Sequence, residues 1–273
     1  MLNFQDLPDE LVLRILSYSE TKDLITYGQV SKRIRGISHD STLWATANLE
    51  KKIVKTELLE MILQKGCRIL NLCHSKIIGT LRSNIISQLR VLTFSQPAAP
   101  WTGNKTIEIL ETLLFSCCSL QHLAMEGVLL TPKMSISICK NGKTLQILKL
   151  NNSDLCVLQK RGNNKAIWGN NSFQEIIKCC QELKEVDLSD VNNTKARKGI
   201  SWDLDFLVKN ITPNVEKLNL SGTLVIDNDL KILLSRCKKI KALSLDYIKD
   251  DRQAHEEIQV MIHNRPHLMI NLS

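Results

Sequence analysis

The chain is poor in aromatic residues: five Phe, four Trp and three Tyr, or 4% of 273 residues. Single-stranded nucleic-acid binders stack bases on such rings, so the shortage argues against nucleic acid as a partner. Lys plus Arg number 36 against 28 Asp plus Glu, a formal charge of +8. That balance favours acidic or phosphorylated partners without selecting one. No run approaches the roughly 18 uncharged apolar residues of a membrane-spanning helix, so no membrane partner is expected. Residues 1–10 carry acids where a secretory leader carries bases, which predicts a soluble, unsecreted chain. Nine cysteines include no Cys-x-x-Cys pair, and reducing surroundings are expected, so neither disulfides nor structural zinc are. The six histidines show no ligand spacing beyond the eight-residue gap between His255 and His263. No cofactor, no metal and no catalytic residue is predicted.

What the chain has is leucine, 42 of them, many in a Leu-x-x-Leu-x-Leu register. Clear copies are Leu89, Leu92, Phe94; Leu120, Leu123, Met125; Leu145, Leu148, Leu150; Leu183, Val186, Leu188; Val215, Leu218, Leu220; and Ile240, Leu243, Leu245. Degenerate copies end at Leu49, Leu72 and Leu272. The last positions fall at 49, 72, 94, 125, 150, 188, 220, 245 and 272, steps of 23, 22, 31, 25, 38, 32, 25 and 27. Stretches with helical spacing follow, at 104–119, 171–182, 202–211 and 228–239, with Asn171 and Asn228 as candidate caps. Strand followed by helix is the unit. Because one such unit cannot bury its own apolar face, the expectation is a leucine-rich-repeat solenoid, an α/β horseshoe with a parallel inner sheet and outer helices, over 49–273.

Side chains alternate along a strand, so if Leu123 and Met125 point inward, His122, Ala124 and Glu126 point to the opposite, concave wall. The central column of that wall reads Asn71, Thr93, Ala124, Lys149, Asp187, Asn219, Ser244, Asn271. Candidate substrate contacts are His122, Glu126, Lys149, Asn151, Asp187, Lys217, Asn219, Ser244, Asp246 and Asn271. A solvated sheet face is polar without any such role, and that accounts for most of these positions singly. Cys117, Cys180 and Cys237 each lie three residues before a first strand leucine or its equivalent, which suits small buried side chains at a helix-to-strand corner. Two basic, Asn-rich connections, 159–165 and 192–198, lengthen two of the steps; they read as solvated inserts or as an electrostatic edge for an acidic or phosphorylated partner.

Residues 1–48 follow another pattern. Pro8 opens a short helix with Asp9 and Glu10 at its positive end and Leu11, Ile15 and Leu16 as apolar positions. Two more short helices and Leu43-Trp44 follow. Leu7-Pro8-Asp9-Glu10, Ile15-Leu16, Asp23-Leu24, Val30-Ser31-Lys32-Arg33 and Leu43-Trp44 together resemble an F-box, departing from it at Ser19, Ser31 and Ile34. Joined to the leucine register, the segment resembles the F-box/leucine-rich-repeat substrate receptors of SCF ubiquitin ligases. That resemblance implies a three-helix domain over 1–48 that binds a Skp-type adaptor, and through it a cullin and a RING subunit. Leu7, Pro8, Leu11, Ile15, Leu16, Leu24, Val30 and Leu43 carry over as the adaptor-contact candidates. It further implies a protein substrate, often phosphorylated, held by the repeats for ubiquitination and degradation, a cyclin-kinase accessory subunit as a further partner, and residence in nucleus and cytoplasm. Two other classes stay open: a repeat scaffold or inhibitor whose F-box is vestigial, suggested by Ser19, Ser31 and Ile34, and a protein carrying its own ubiquitin-transfer cysteine, for which no Cys has an activating neighbourhood in the sequence.

Overall fold

The computed structural model describes residues 6–82, 85–95, 104–155, 157–161, 165–169, 171–191, 204–248 and 250–272. Three short helices come first: α1 (Asp9–Leu16), α2 (Thr21–Tyr27) and α3 (Lys32–Ser38), then a 3-10 turn at Ser41–Trp44. Strands β1 (Thr46–Asn48), β3 (Ile69–Asn71), β5 (Val91–Ser95), β6 (His122–Glu126), β7 (Ile147–Lys149), β10 (Glu185–Asp187), β11 (Lys217–Ile226), β12 (Ala242–Ile248) and β13 (Met269–Leu272) form one sheet. They lie side by side in chain order, and every pair is parallel. Two small sheets stand apart: β2 (Ile53–Lys55) pairs with β4 (Lys76–Ile78), and β8 (Val157–Arg161) pairs antiparallel with β9 (Lys165–Gly169).

Parallel neighbours need crossovers, and helices supply most of them. These are α4 (Thr56–Gln64), α5 (Asn104–Ser116), α6 (Pro132–Lys140), α7 (Asn171–Cys179), α8 (Leu204–Asn210), α9 (Asp227–Arg236) and α10 (Arg252–His263). Leu70, Leu92, Leu123, Leu148, Val186, Leu218 and Leu243 share one register row, all buried against helix residues such as Leu59, Leu113, Ile138, Ile176 and Leu233. Asn228 does not cap α9. It lies in the first turn, and the cap position is Ile226, which makes no side-chain cap bond.

The fold class expected from the sequence is corrected here. In place of a horseshoe solenoid stands a large parallel sheet flanked by helices. The leucine register specifies which strands are neighbours and which side chains are buried, because both follow from a period of two. It carries no information about curl, which depends on equal spacing between successive layers. The connections are unequal: strands of the main sheet run from three to ten residues, β8–β9 interrupts one crossover, and β4 stands where the path from β3 to β5 would carry a helix.

The amino-terminal helices are not separate from this body. Val12, Leu16, Leu24, Leu43 and Trp44 belong to the same buried cluster as the sheet leucines. Trp44 is 2% exposed, and its Nε1–H donates to the Ser38 carbonyl at 2.8 Å. About forty residues alone would bury too little surface to be firmly stable, so the shared core is what orders them.

Candidate functional site

Helix α1 shows why its residues divide. Val12 and Leu16, four apart, face the core; Leu11 and Ile15, also four apart, lie on the flank and remain 49% and 46% exposed. The Ser31 hydroxyl caps α3 by accepting from the Ile34 N–H at 3.1 Å, and Arg33 clamps the entry to α1 through Asp9 at 2.7 Å and the Leu7 carbonyl. Arg35 Nε donates to the Gly28 carbonyl at 2.7 Å, joining α3 to the end of α2. Between these clamps lies a largely apolar groove of about 570 Å³ lined by Ile15, Leu16, Ser19, Tyr27, Val30, Ser31, Arg33 and Ile34. Val30 is 72% exposed at its rim. Apolar side chains gathered in one exposed groove are a general feature of interaction surfaces.

Of the adaptor-contact candidates, Pro8, Leu11, Ile15 and Val30 lie on the surface and Leu7 is half-buried. Leu16, Leu24 and Leu43 are packed inward, Leu16 also forming groove floor. Tyr27, which lines the groove, was not singled out in the sequence, and Tyr18, just after α1, and Ile25, on α2, are exposed outside it. The three departures from the F-box pattern sit on the groove itself: Ser19 and Ile34 line it, and Ser31 both lines it and caps α3.

On the sheet, register aligns Asn48, Asn71, Thr93, Ala124, Lys149, Asp187, Asn219, Ser244 and Asn271 in one row. Several of these side chains are already engaged. Asn48, Asn71, Asp187 and Asn219 each accept, through Oδ1, the N–H two residues on: Glu50 at 3.1 Å, Cys73 at 2.9 Å, Ser189 at 3.0 Å and Ser221 at 3.1 Å. This is the Asx-turn bond, which turns the chain out of β1, β3 and β10 and in β11 precedes the register shift between Leu220 and Leu224. Beside them Glu185 sits between Lys149 at 2.6 Å and Lys217 at 3.5 Å. The Lys149 hydrogen bond, opposed by burial and aided by the two lysine charges, holds the Glu185 carboxyl below the usual carboxylate range. His122 packs alongside with its Nε2 enclosed and unbonded among the described residues; burial, with Lys149, lowers its imidazole against the opposing pull of Glu185. Glu126 accepts from Asn152 Nδ2 at 3.3 Å. Asn151, Ser244 and Asp246 are half-buried, and Lys217 and Asn271 are exposed. Residues 159–161 and 165 of the first basic connection fall in β8–β9; 162–164 and the whole of 192–198 lie outside the described residues.

A buried acid escaped the sequence reading. Asp227, 0% exposed, accepts the backbone N–H groups of Asp250 at 2.7 Å and Asp251 at 2.8 Å and the hydroxyl of Tyr247, with His255 Nδ1 3.4 Å away. Burial alone would raise its pKa, but the bonds from Tyr247, Asp251, Asp250 and His255 outweigh it and hold the carboxyl well below its usual range. The carboxylate's acceptor positions are taken up in tying β12 and α10 to α9, a clasp and not an open acid. Four cysteines are likewise packed away: Cys67, Cys117, Cys180 and Cys237 are buried, and burial pushes their thiols up to about 11, 11, 12 and 11. Among the described residues no cluster of three or more His, Cys, Asp or Glu is placed to hold a metal ion, and no helix is long and apolar enough to cross a membrane.

Residues 4–50 match the F-box-like family, so an F-box-like segment is present at the amino-terminal end. The chain is also similar to a crystal structure of a Bacteroides fragilis protein, with 15% identity and a TM-score of 0.37, over 90% of this chain and 62% of that one.

Proposed function

We propose that the chain is the substrate-recognition subunit of an SCF-type E3 ubiquitin ligase and carries out no bond-making step itself. In this reading the F-box-like segment, 1–48, binds a Skp-type adaptor through the groove around Ile15, Tyr27, Val30 and Ile34, with a cullin and a RING subunit beyond it. The remainder, 49–273, holds a protein substrate against the open sheet face. The observation that carries the reading is the F-box-like match over residues 4–50 on helices whose apolar flank is exposed. Its physical contribution is that of a stiff tether. Because the helices share one core with the sheet, a client on the sheet is held at fixed geometry to the adaptor, which raises the effective concentration of its lysines at the charged ubiquitin carrier.

The finer identity is part of the same proposal. Ser119-Leu-Gln-His-Leu-Ala-Met-Glu-Gly-Val-Leu-Leu130, Val215-Glu-Lys-Leu-Asn-Leu-Ser-Gly222 and Pro266-His-Leu-Met-Ile-Asn271 resemble S-phase kinase-associated protein two. A cell-cycle inhibitor as substrate, a cyclin-kinase accessory subunit and a nuclear and cytoplasmic location follow from that likeness. Calorimetric titration of the purified chain with a purified Skp-type adaptor tests the core of the reading. Saturable one-to-one binding is expected, and no heat change at tens of micromolar adaptor would leave the segment vestigial and the ligase reading wrong.

A further inference from the structure

Strand β1 is an outer strand of the nine-stranded sheet, and its free side is not open water. In a parallel pair, alternate residues direct both backbone groups to the neighbour. Here Ala45 accepts from Arg68 and Ile69, and the Leu49 N–H donates to the Asn71 carbonyl. Thr46 and Asn48 therefore direct theirs away from β3. Among the described residues the Thr46 N–H, the Thr46 carbonyl and the Asn48 N–H have no partner, and only the Asn48 carbonyl is met, by Lys52 Nζ at 3.4 Å. Facing them across a groove of about 580 Å³ is the corner between α1 and α2, with Ser19, Glu20 and Thr21. An edge with unspent donors and acceptors is a template for another strand, and natural chains usually blunt or cover one. Among the described residues no strand covers this edge; it is the floor of a slot that Lys52 spans at one end, between the Asn48 carbonyl and Glu20.

We propose that the free edge of β1 is a strand-addition site that accepts an extended, uncharged polar segment of a partner polypeptide as a tenth strand. The walls select that occupant. Glu20 is held by Lys22 and Lys52, each at 3.4 Å, and Glu50 by Lys51 at 3.4 Å, so the slot offers no unpaired charge to a charged peptide. Its other groups are mostly hydroxyls and amides, suited to Ser, Thr, Asn and Gln side chains, while the backbone supplies the affinity. A second copy of this chain would bring its own Glu20, Glu50 and Lys52 to the slot, which is not the uncharged segment the walls select. The site is independent of the adaptor groove, which lies among Tyr27, Val30 and Ile34.

The test uses the full chain and a phage-displayed library of random heptapeptides, from which binders are synthesised. In the free chain the Thr46 and Asn48 amides should exchange with solvent quickly; with a selected peptide bound they should slow by about tenfold or more, while the Ala47 amide, already in the ladder, changes little. Asn48→Pro removes an outward N–H behind Ala47, which is extended as a residue before Pro must be, and should weaken peptide binding about tenfold or more, whereas Asn48→Ser should leave it nearly unchanged. Slow exchange at Thr46 and Asn48 in the free chain, protection that rises with chain concentration and no peptide, or equal peptide binding by Asn48→Pro would each overturn the proposal. The exchange measurement stands on the unaltered chain, so a poorly folded Pro variant does not rescue it.

Discussion

Ile15 and Leu16 are adjacent in α1 with opposite surroundings, 46% and 3% exposed, and that contrast separates binding from folding. Leu16→Ala deletes packed methyl groups and leaves a cavity, so it should cost about 2–5 kcal/mol of stability. Ile15→Ala removes a side chain half in water and should cost well under about 1 kcal/mol of stability. Adaptor binding should respond the other way. Full burial of an Ile or Leu side chain is worth about 1.5–3 kcal/mol, so covering the exposed half of Ile15 contributes about 1 kcal/mol, and Leu11, 49% exposed, about the same. The double variant Leu11→Ala, Ile15→Ala should therefore bind the Skp-type adaptor about thirtyfold more weakly with an almost unchanged unfolding midpoint. Urea denaturation reads the first quantity and calorimetric titration the second. If the double variant binds as the parent does, or if it unfolds as readily as Leu16→Ala, the assignment of this flank to a partner is wrong.

Three further outcomes follow from other parts of the molecule. Asp227 has a depressed pKa in the folded chain, so its contribution is present above the unfolded carboxylate value of 3.8 and is lost as pH falls below it; Asp227→Asn should cost about 2–3 kcal/mol at pH 7 and lose less stability on acidification than the parent, measured by denaturation from pH 7 to pH 3. Asn219→Ala should cost about 1 kcal/mol by removing the bond to the Ser221 N–H, while Ser244→Ala, in the same row, should be close to neutral in a thermal melt. Iodoacetamide at pH 8 should label the exposed Cys118 and Cys179 and spare Cys67, Cys117, Cys180 and Cys237, whose thiols burial keeps protonated; equal labelling by mass spectrometry would contradict that packing.

Much of the sheet was legible because its information is local. Leu123 and Met125 alternate with His122, Ala124 and Glu126, and nothing beyond the pleat is needed to know which set is buried. The helix expected at 104–119 appears as Asn104–Ser116, and that at 228–239 as Asp227–Arg236, since each rests on a single apolar stripe. Curl was not legible, because it is set by the dissimilar connections and not by the strands. Nor was the Asp227 clasp, whose partners Tyr247 and His255 lie 20 and 28 residues away and carry no shared spacing signal. On α1, the sequence grouped Leu11, Ile15 and Leu16 as apolar, and only packing shows which of them the core takes.

The polar row illustrates a different limit and narrows where a client can be held. Read as a list of side chains it looks like a recognition surface along its whole length. Its hydrogen bonds say otherwise: Asn71, Asp187 and Asn219 spend an acceptor on their own turns, and Lys149 spends its charge on Glu185. A client that took those engaged oxygens would have to replace bonds already made, gaining little net energy, and is left the amide donors of Asn71 and Asn219 and the second oxygen of Asp187. Ser244 and the exposed Asn271 make no such bond among the described residues, and Lys217 reaches Glu185 only at 3.5 Å with 64% of its side chain in solvent. These three lie on β11, β12 and β13. On the proposed function, therefore, a client meets the least-engaged side chains of this face toward the carboxyl-terminal end of the sheet, where new bonds displace the fewest existing ones.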